Sequence, residues 1–297
     1  MRRFFRWVLI ARLLTVLSFI SVSHAQQAKQ QEPTGIEVGK QSPLRYLVPE
    51  EALEQEAEKQ YSAMKAEAQK QHVLVPAGDL QVVRLRAIAN RIIPHTARWN
   101  ERASKWNWEI NLFSSKQVNA FCMPGGKIAF FSGILTSLQL TDDEVAIVMG
   151  HEIAHALREH SREQAAKDSL LNLGTRLGAS IFNLGDIGQA LLSGGSQLAM
   201  MKFSRADETE ADIVGLDIVA RAGYDPRAGI ALWQKMNMLS KSAPPEWLST
   251  HPPGSDRLVE IRKHMQQVLP LYAEAKNTRV DALPPYHSNV KGLETIP

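Results

Sequence analysis

The segment His151-Glu152-Ile153-Ala154-His155 constrains the fold of this chain more than any other feature of its sequence. If the segment is helical, His151 and His155 project from the same face and can bind one Zn²⁺ ion together. Glu152 then points toward the metal, where its carboxylate can act as general base for a water molecule. The segment therefore predicts a zinc site of the kind that metallopeptidases use.

The residues around this segment predict a helix from Thr141 to Leu157. Thr141 followed by Glu144 has the pattern of a capping box. Apolar residues at helical spacing predict one buried face; they are Val145, Val148, Met149, Ile153 and Ala156. The alternative, two solvent-facing histidines on an amphipathic helix, offers no structural reason for the two histidines with a glutamate between them.

A zinc site needs a third protein ligand, and here it must be a carboxylate further along the chain. Between residues 169 and 206 the only acidic residue is Asp186, and an acidic cluster follows at residues 207–212. Glu208 and Asp212 are four residues apart in a predicted helix, so their carboxylates share one face. This spacing permits Glu208 to bind zinc while Asp212 orients a ligand histidine. Asp207 and Glu210 are interpreted as solvated residues of the first helical turn.

Segments upstream of the helix predict a small β-sheet. In residues 108–113 and 118–123 the side chains alternate in character as they do in strands. Residues 124–126 (Pro-Gly-Gly) predict a turn, and residues 127–131 are predicted to form the returning strand. An exposed strand edge beside the zinc would bind an extended peptide as an added strand, and a purely structural hairpin is the alternative. The predicted fold class is mainly α (α+β), a helical metallopeptidase domain with a small β-sheet or hairpin beside the zinc helix.

In this order along the chain, the motifs resemble the gluzincin metalloproteases that include HtpX, BepA, LoiP and the CAAX prenyl endopeptidases. The resemblance covers about residues 80–264 and is closest to the soluble periplasmic members, without a helical-repeat domain. It rests on the segments 118–121 with 124–128, 131–135, 151–155, 204–212, and 250–253 with 256–257. It implies that Glu208 is the third zinc ligand, that Asn119 and Ala120 belong to a substrate-contacting edge strand, and that His251 lies near the metal.

Three further residues have alternative interpretations. His251 lies in the proline-containing loop 249–253, which could present its imidazole to an oxyanion or to the open zinc position, or could use it for a structural hydrogen bond. Arg257 could contact Asp212 or the substrate, and it is predicted as a substrate-binding residue. His160 also matches a position that the family favours, and a structural role at the helix end is expected in preference to the alternative, ligation of the metal. The single cysteine, Cys122, is predicted to pack in the hairpin.

The first 25 residues predict a secretory signal peptide. Arg2, Arg3 and Arg6 precede an apolar stretch at residues 7–20, and Ser23-His24-Ala25 has the pattern of a cleavage site. An uncleaved membrane anchor is the alternative, although Arg12 interrupts the apolar stretch. These residues hold four arginines and no acid, so the formal charge of +3 falls to −1 without them. Such a chain lacks the basic patch that nucleic-acid binding requires.

The remaining chain is predicted to hold one catalytic domain. Residues 26–45 are expected to be a disordered lead-in, 46–268 the zinc metallopeptidase domain, and 269–297 a C-terminal tail. Helices are predicted from about residue 49 to 71 and from Asp79 to Pro94. Residues 169–201 are apolar and glycine-rich. They are expected to form a lid over the zinc cleft or a patch that contacts a membrane or an unfolded client.

Together these features predict a zinc-dependent endopeptidase of the periplasm with Glu152 as general base. The resemblance suggests misfolded or stalled envelope and outer-membrane proteins as substrates, with the outer-membrane assembly machinery and a peripheral membrane contact as further expectations. The alternative from another class is a chaperone-like protein that binds such clients and keeps a gated or latent zinc site.

Overall fold

The computed structural model describes residues 35–173, 198, 201–240, 245–252 and 256–297. The predicted mainly helical fold with a small sheet is confirmed for these residues. The strands are β1 (Glu109–Phe113), β2 (Ala120–Met123) and β3 (Lys127–Phe131). The helices are α1 (Glu50–Lys70), α2 (Leu80–Ile92), α3 (Ser132–Ser137), α4 (Asp142–Leu157), α5 (His160–Leu173), α6 (Arg205–Arg221), α7 (Ala228–Ser240), α8 (Trp247–Thr250) and α9 (Arg257–Ala275). Short 3₁₀ helices lie at Pro43–Leu47, Ile93–His95, Glu101–Lys105 and Val280–Ala282.

The three strands form one sheet in the order β1-β3-β2. β2 and β3 are antiparallel, with Ala120 opposite Phe130 and Cys122 opposite Ile128, which confirms the predicted hairpin. The hairpin turn uses Gly125 and Gly126, both at positive φ, where glycine has no steric penalty. β1 pairs in parallel with the other side of β3, so β2 remains at one edge of the sheet.

The sheet is packed on both faces, and this placement sets the position of helix α4. Side chains of a strand point alternately to opposite faces. One set packs in the core that contains α4, and the other packs against α1. The first set includes Ala120, Cys122, Ile128 and Phe130; the second includes Phe121, Met123, Ala129 and Phe131. Cys122 is buried, as the sequence predicts.

Helix α4 begins and ends as predicted. The Thr141 hydroxyl accepts a hydrogen bond from the Glu144 amide at 3.3 Å, and the Glu144 carboxylate accepts from the Thr141 amide at 2.8 Å. This capping box satisfies donors that the first helical turn leaves unpaired. The helix ends at Leu157, and nearly all of its residues are buried between the sheet and α6.

Helices α4 and α6 meet through two glycines. A Cβ atom on Gly215 would lie 2.9 Å from the backbone nitrogen of His151, and one on Gly150 would lie 2.6 Å from a methyl group of Val219. The two backbones can approach this closely only because these side chains are absent. The contact therefore brings the acidic start of α6 against the histidines of α4.

The structure differs from the predicted ends of the domain. Residues 35–45, predicted to be disordered, are held in place because the buried Asp217 carboxylate accepts a hydrogen bond from the Ile36 amide at 3.1 Å. Helix α9 continues across residue 269, where the tail was predicted to begin. Beyond it Tyr286 and Ile296 pair as an antiparallel bridge and are buried in the main core. The predicted tail thus packs on the domain because it carries apolar side chains that the core buries.

Several predicted segments lie wholly or largely outside the described residues. The signal peptide is one, and most of the predicted lid at 169–201 is another. At the start of the predicted lid segment, α5 extends to Leu173. Near the end of that segment, Leu198 is buried beside α1. Among the described helices, none is both long enough and apolar enough to cross a membrane.

The glycine contact generates a stability prediction. Replacing Gly215 with Ala places a methyl group against the backbone of α4, and we expect the free energy of unfolding to fall by about 1–3 kcal/mol. Gly229→Ala is the matched control, since its added Cβ would meet no atom closer than 3.4 Å; the change there should stay within about 1 kcal/mol. Urea unfolding of the two variants checks this, and equal effects would show that the close approach does not matter.

Candidate active site

Four side chains from three parts of the chain converge on one point. His151 Nε2 and His155 Nε2 lie 3.0 Å apart on α4. Each lies 3.5 Å from one carboxylate oxygen of Glu208 on α6. His251, which follows α8, completes the group, and the four ligand atoms all lie within 4.8 Å of one another. All four residues are buried.

The buried donor atoms of this group fit a metal ion. Within the described part of the chain, His251 Nε2 is buried without a hydrogen-bond partner. The Glu208 carboxylate is ion-paired with Arg257 Nη1 at 2.6 Å, and its two buried oxygens each lie 3.5 Å from a histidine Nε2. Buried polar atoms in proteins almost always have partners. Two imidazole nitrogens and a carboxylate form a donor set that is typical of a catalytic zinc site. The predicted ligands His151, His155 and Glu208 therefore lie together in an arrangement that can hold the ion.

Asp212 orients the first histidine of the group. Its Oδ1 atom lies 3.0 Å from His151 Nδ1, so the neutral His151 ring donates from Nδ1 and keeps the Nε2 lone pair for a metal. The geometry permits the expected division, in which Glu208 binds the metal and Asp212 orients His151. Both residues lie on α6, one helical turn apart.

Arg257 lies behind these carboxylates and does not face an open surface. Its guanidinium donates to both oxygens of Asp212 at 2.6 and 2.7 Å, and its Nη1 lies 2.6 Å from Glu208 Oε2. It packs over the rings of Trp233 and Trp247 at 4.3 and 5.7 Å. The prediction of Arg257 as a substrate-binding residue therefore differs from the structure, because two buried carboxylates take its hydrogen-bonding capacity.

Glu152 lies at the side of the group, next to His251. Trp247 Nε1 donates to Glu152 Oε1 at 2.7 Å, and Oε2 lies 3.6 Å from His251 Nε2. Burial raises the pKa of Glu152 to about 7, although the charge of His151 and the Trp247 hydrogen bond oppose this shift. A carboxylate with a pKa near neutrality can both accept and return a proton, as a general base must.

The charges of the site also set the protonation of the histidines. Burial lowers the pKa of His151, but hydrogen bonds with Asp212 and Glu208 outweigh it and raise this pKa to about 9. Burial and the neighbouring His151 hold the pKa of His155 well below its ordinary value. Burial and His151 act in the same direction on His251. For Asp212, the charge of Arg257 outweighs burial and lowers its pKa.

His251 is held by the short helix α8. Its ring stacks on Trp247 with centroids 4.7 Å apart and an interplanar angle of 18°. Its Nδ1 atom lies 2.9 Å from Thr250 Oγ1 and 3.2 Å from the Trp247 carbonyl. These contacts leave Nε2 directed into the group, so the structure brings His251 to the position that the resemblance implies.

The strand edge predicted to be exposed is covered at its start. Ala120 is the first residue of β2 and is fully buried, and Asn119 immediately before it uses its carbonyl to accept from Phe131 at 3.1 Å. On the outer side, Val118 donates to Glu246 Oε2 at 2.9 Å and accepts from the Trp247 amide at 3.0 Å. The start of the edge differs from the prediction because the segment that carries α8 bonds to Val118, just before β2.

Sequence reasoning missed two contributions to the site. Trp247 was not singled out, and nothing in its sequence context marks it as a partner of Glu152. Glu210 was interpreted as solvated, but it accepts from Arg158 at 2.8 Å and lies 2.8 Å from His160 Nε2. His160 in turn lies 2.9 Å from His155 Nδ1. The correction arises because the chain turns sharply after α4 and returns His160 beneath His155.

Comparison with known proteins agrees with this geometry. The model of peptidase family M48 matches residues 80–265, and the chain belongs to that family. The chain is 35% identical over 175 residues to the mitochondrial metalloendopeptidase OMA1 of Arabidopsis thaliana, which covers 58% of this chain and 35% of that protein. Its identity to the OMA1 metalloendopeptidase of Saccharomyces cerevisiae is 33% over 176 residues, or 57% of this chain and 50% of that one.

A bacterial relative is similar over the same region. The beta-barrel assembly-enhancing protease of Yersinia pestis is 30% identical over 197 residues, which cover 63% of this chain and 39% of the relative. The matches thus span about a third to a half of the length of these relatives. The predicted resemblance is confirmed at the level of the family.

The buried position of Arg257 generates a stability prediction. Arg257→Ala leaves Asp212 and Glu208 without their cation, and we expect the metal-free chain to lose about 3–5 kcal/mol of unfolding free energy. Arg262 lies on the same helix, is partly exposed and pairs with Glu294. Arg262→Ala should therefore cost no more than about 1 kcal/mol. Urea unfolding compares the two variants, and similar losses would contradict the structural role of Arg257.

The raised pKa of His151 generates a prediction of pH dependence. With a pKa of about 9, His151 carries a proton at pH 7 in the metal-free chain, whereas a metal ligand must be neutral. Metal binding at pH 7 should release about one proton, and metal affinity should rise with pH until about pH 9. Titration calorimetry in two buffers of different ionisation enthalpy measures the released proton. An affinity that stays constant between pH 6.5 and 8.5 would contradict this account.

Proposed function

We propose that the chain is a zinc-dependent endopeptidase in which His151, His155 and Glu208 hold the ion and Glu152 is the general base. The observation that carries the proposal is the convergence of these buried donors, with each histidine Nε2 3.5 Å from one oxygen of Glu208. Membership of peptidase family M48 and the metalloendopeptidase names of the relatives support it.

In the proposed hydrolysis, the residues around the site have separate roles. Zinc, when bound, supplies a Lewis acid that polarises the scissile carbonyl and makes water more acidic. Glu152 accepts the proton of the attacking water and returns it to the nitrogen of the leaving amine. Trp247 holds one oxygen of Glu152 and thereby leaves Oε2 facing the centre. Asp212 and Arg257 fix the ligands behind the site.

His251 is assigned a gating role in this proposal. Its Nε2 atom is an unpaired fourth donor of the group, and α8 carries it together with the residues that pair with Val118. Movement of α8 would free the fourth donor position and the edge of β2 at the same time. An extended peptide could then pair with β2 at Asn119 and Ala120 through its backbone, which demands little of its side chains.

The proposed substrates are unfolded or misassembled proteins of a bacterial envelope. Backbone pairing at a strand edge suits extended, unfolded chains, and a beta-barrel assembly-enhancing protease is among the relatives. The pattern of residues 1–25 supports export to the periplasm. The outer-membrane assembly machinery is the corresponding partner. The OMA1 relatives are named as mitochondrial, so the N-terminal sequence of the processed chain is the measurement that tests this location.

Glu152→Gln tests the enzymatic assignment. The amide keeps the shape of the side chain but cannot accept the proton, so cleavage of casein by the zinc-loaded chain should fall by about 10²–10⁴-fold while zinc stays bound. Glu163→Gln, on the surface of α5 and paired with Lys167, is the matched control and should cleave as the wild type does. Undiminished cleavage by Glu152→Gln would contradict the assignment of the base.

A wild-type chain that binds zinc but does not cleave casein calls for His251→Ala. Cleavage restored by this variant would support the gating role. If neither form cleaves but both hold casein in solution, the proteolytic proposal fails and the client-binding alternative stands.

A further inference from the structure

His160 contacts the proposed zinc ligand His155 but has no role in the chemistry described above. His160 lies behind His155, on the side away from Glu208, and is almost fully buried. It is absent from the group of side chains that could hold a metal among the described residues. Its contacts therefore call for a separate explanation.

The hydrogen-bond directions along this pair are fixed by chemistry. His155 Nε2 faces Glu208 and His151, so it must keep its lone pair in order to bind a metal. The proton of the neutral ring then resides on Nδ1, which lies 2.9 Å from His160 Nδ1. His160 must accept at that atom and carries its own proton on Nε2. That proton points at Glu210 Oε2, 2.8 Å away.

Glu210 ends this chain of hydrogen bonds with a fixed negative charge. Its other oxygen accepts from Arg158 at 2.8 Å, and its hydrogen bonds with His160 and Arg158 outweigh burial and lower its pKa. Each donor in the sequence from His155 to His160 to Glu210 thus meets an acceptor. The arrangement favours the one tautomer of His155 that presents a lone pair to the ion.

The contact between His160 and His155 depends on a change of backbone direction between α4 and α5. In an uninterrupted helix, residue 160 would lie about 140° around the axis from His155 and could not meet its ring. Glu159 instead adopts a left-handed conformation with φ of 58°, and α5 starts at the next residue. The Glu159 carboxylate is held by Arg45 and Arg162, each at 2.8 Å. A non-glycine residue in this region is strained, and such strain persists only where the surrounding contacts maintain it.

From these contacts we propose that His160 and Glu210 are positioning residues that act through His155 to set the zinc affinity of the site. The inference rests on the proposed zinc function. Asp212 contacts His151 directly, at 3.0 Å. Glu210 reaches His155 only through the imidazole of His160. On α6, Glu208 is therefore the metal ligand, Asp212 orients His151 directly, and Glu210 orients His155 through His160.

The test measures zinc dissociation constants of the full chain by competition with a chromophoric chelator. Outer-shell partners of metal ligands typically contribute about 10–100-fold to metal affinity. His160→Leu removes the acceptor for His155 and should weaken zinc binding within that range. Glu210→Gln keeps the shape but removes the charge, and its loss should be about tenfold. His264→Leu, a partly buried histidine of α9 bonded to the Glu260 carbonyl, is the control and should bind as the wild type does.

A conservative variant separates positioning from simple packing. His160→Asn places a carbonyl oxygen where Nδ1 lies, so it should bind zinc more tightly than His160→Leu. The melting temperature of each metal-free variant reports any packing defect on its own. If His160→Leu binds zinc within about twofold of the wild type, or if Leu and Asn weaken it equally, the inference is overturned and the zinc site stands. A wild-type chain that does not bind zinc would instead overturn the proposed function.

Discussion

The close packing of α4 on α6 is the constraint on which the rest of the site depends. It requires Gly150 and Gly215 at the crossing, where a side chain would meet the opposite helix. At this distance the acidic first turns of α6 lie against the two histidines of α4. One short segment of sequence, residues 208–212, thereby supplies the proposed metal ligand and the carboxylates that we propose orient the two histidines, Asp212 directly and Glu210 through His160. The burial of so many charged groups is sustained by Arg257, which offsets two of the carboxylates.

Much of this arrangement follows from local sequence rules. The capping box, the apolar spacing of α4 and the i, i+4 pairs predict a helix that carries two histidines and another that carries two carboxylates. The alternation of residues 118–131 predicts the hairpin because strand periodicity and a Pro-Gly-Gly turn are local signals. The prediction of Glu208 as the third ligand came from the resemblance to a family, since the residues alone permit this division without requiring it.

The remainder depends on contacts between distant parts of the chain. The hydrogen bond from Trp247 to Glu152 joins residues 95 positions apart, and no spacing rule connects them. The sequence leaves two possible partners for Arg257, Asp212 or the substrate. The packing of α9 on α6 places its guanidinium against the carboxylates. The position of His160 depends on the left-handed backbone conformation of Glu159. The sequence does not signal that conformation, because residue 159 is neither glycine nor asparagine. Covering of the β2 edge by α8 is a tertiary contact of the same kind.

X-ray absorption at the zinc edge of the purified, zinc-loaded chain tests whether these residues bind the ion. We expect a first shell of about four nitrogen and oxygen atoms at about 2.0–2.1 Å, with imidazole scattering from two or three histidines and no sulfur. Loss of about one imidazole in His151→Ala, with the remaining shell intact, would agree with the assigned ligands. A first shell that contains sulfur, or one without imidazole scattering, would contradict the site described for His151, His155 and Glu208.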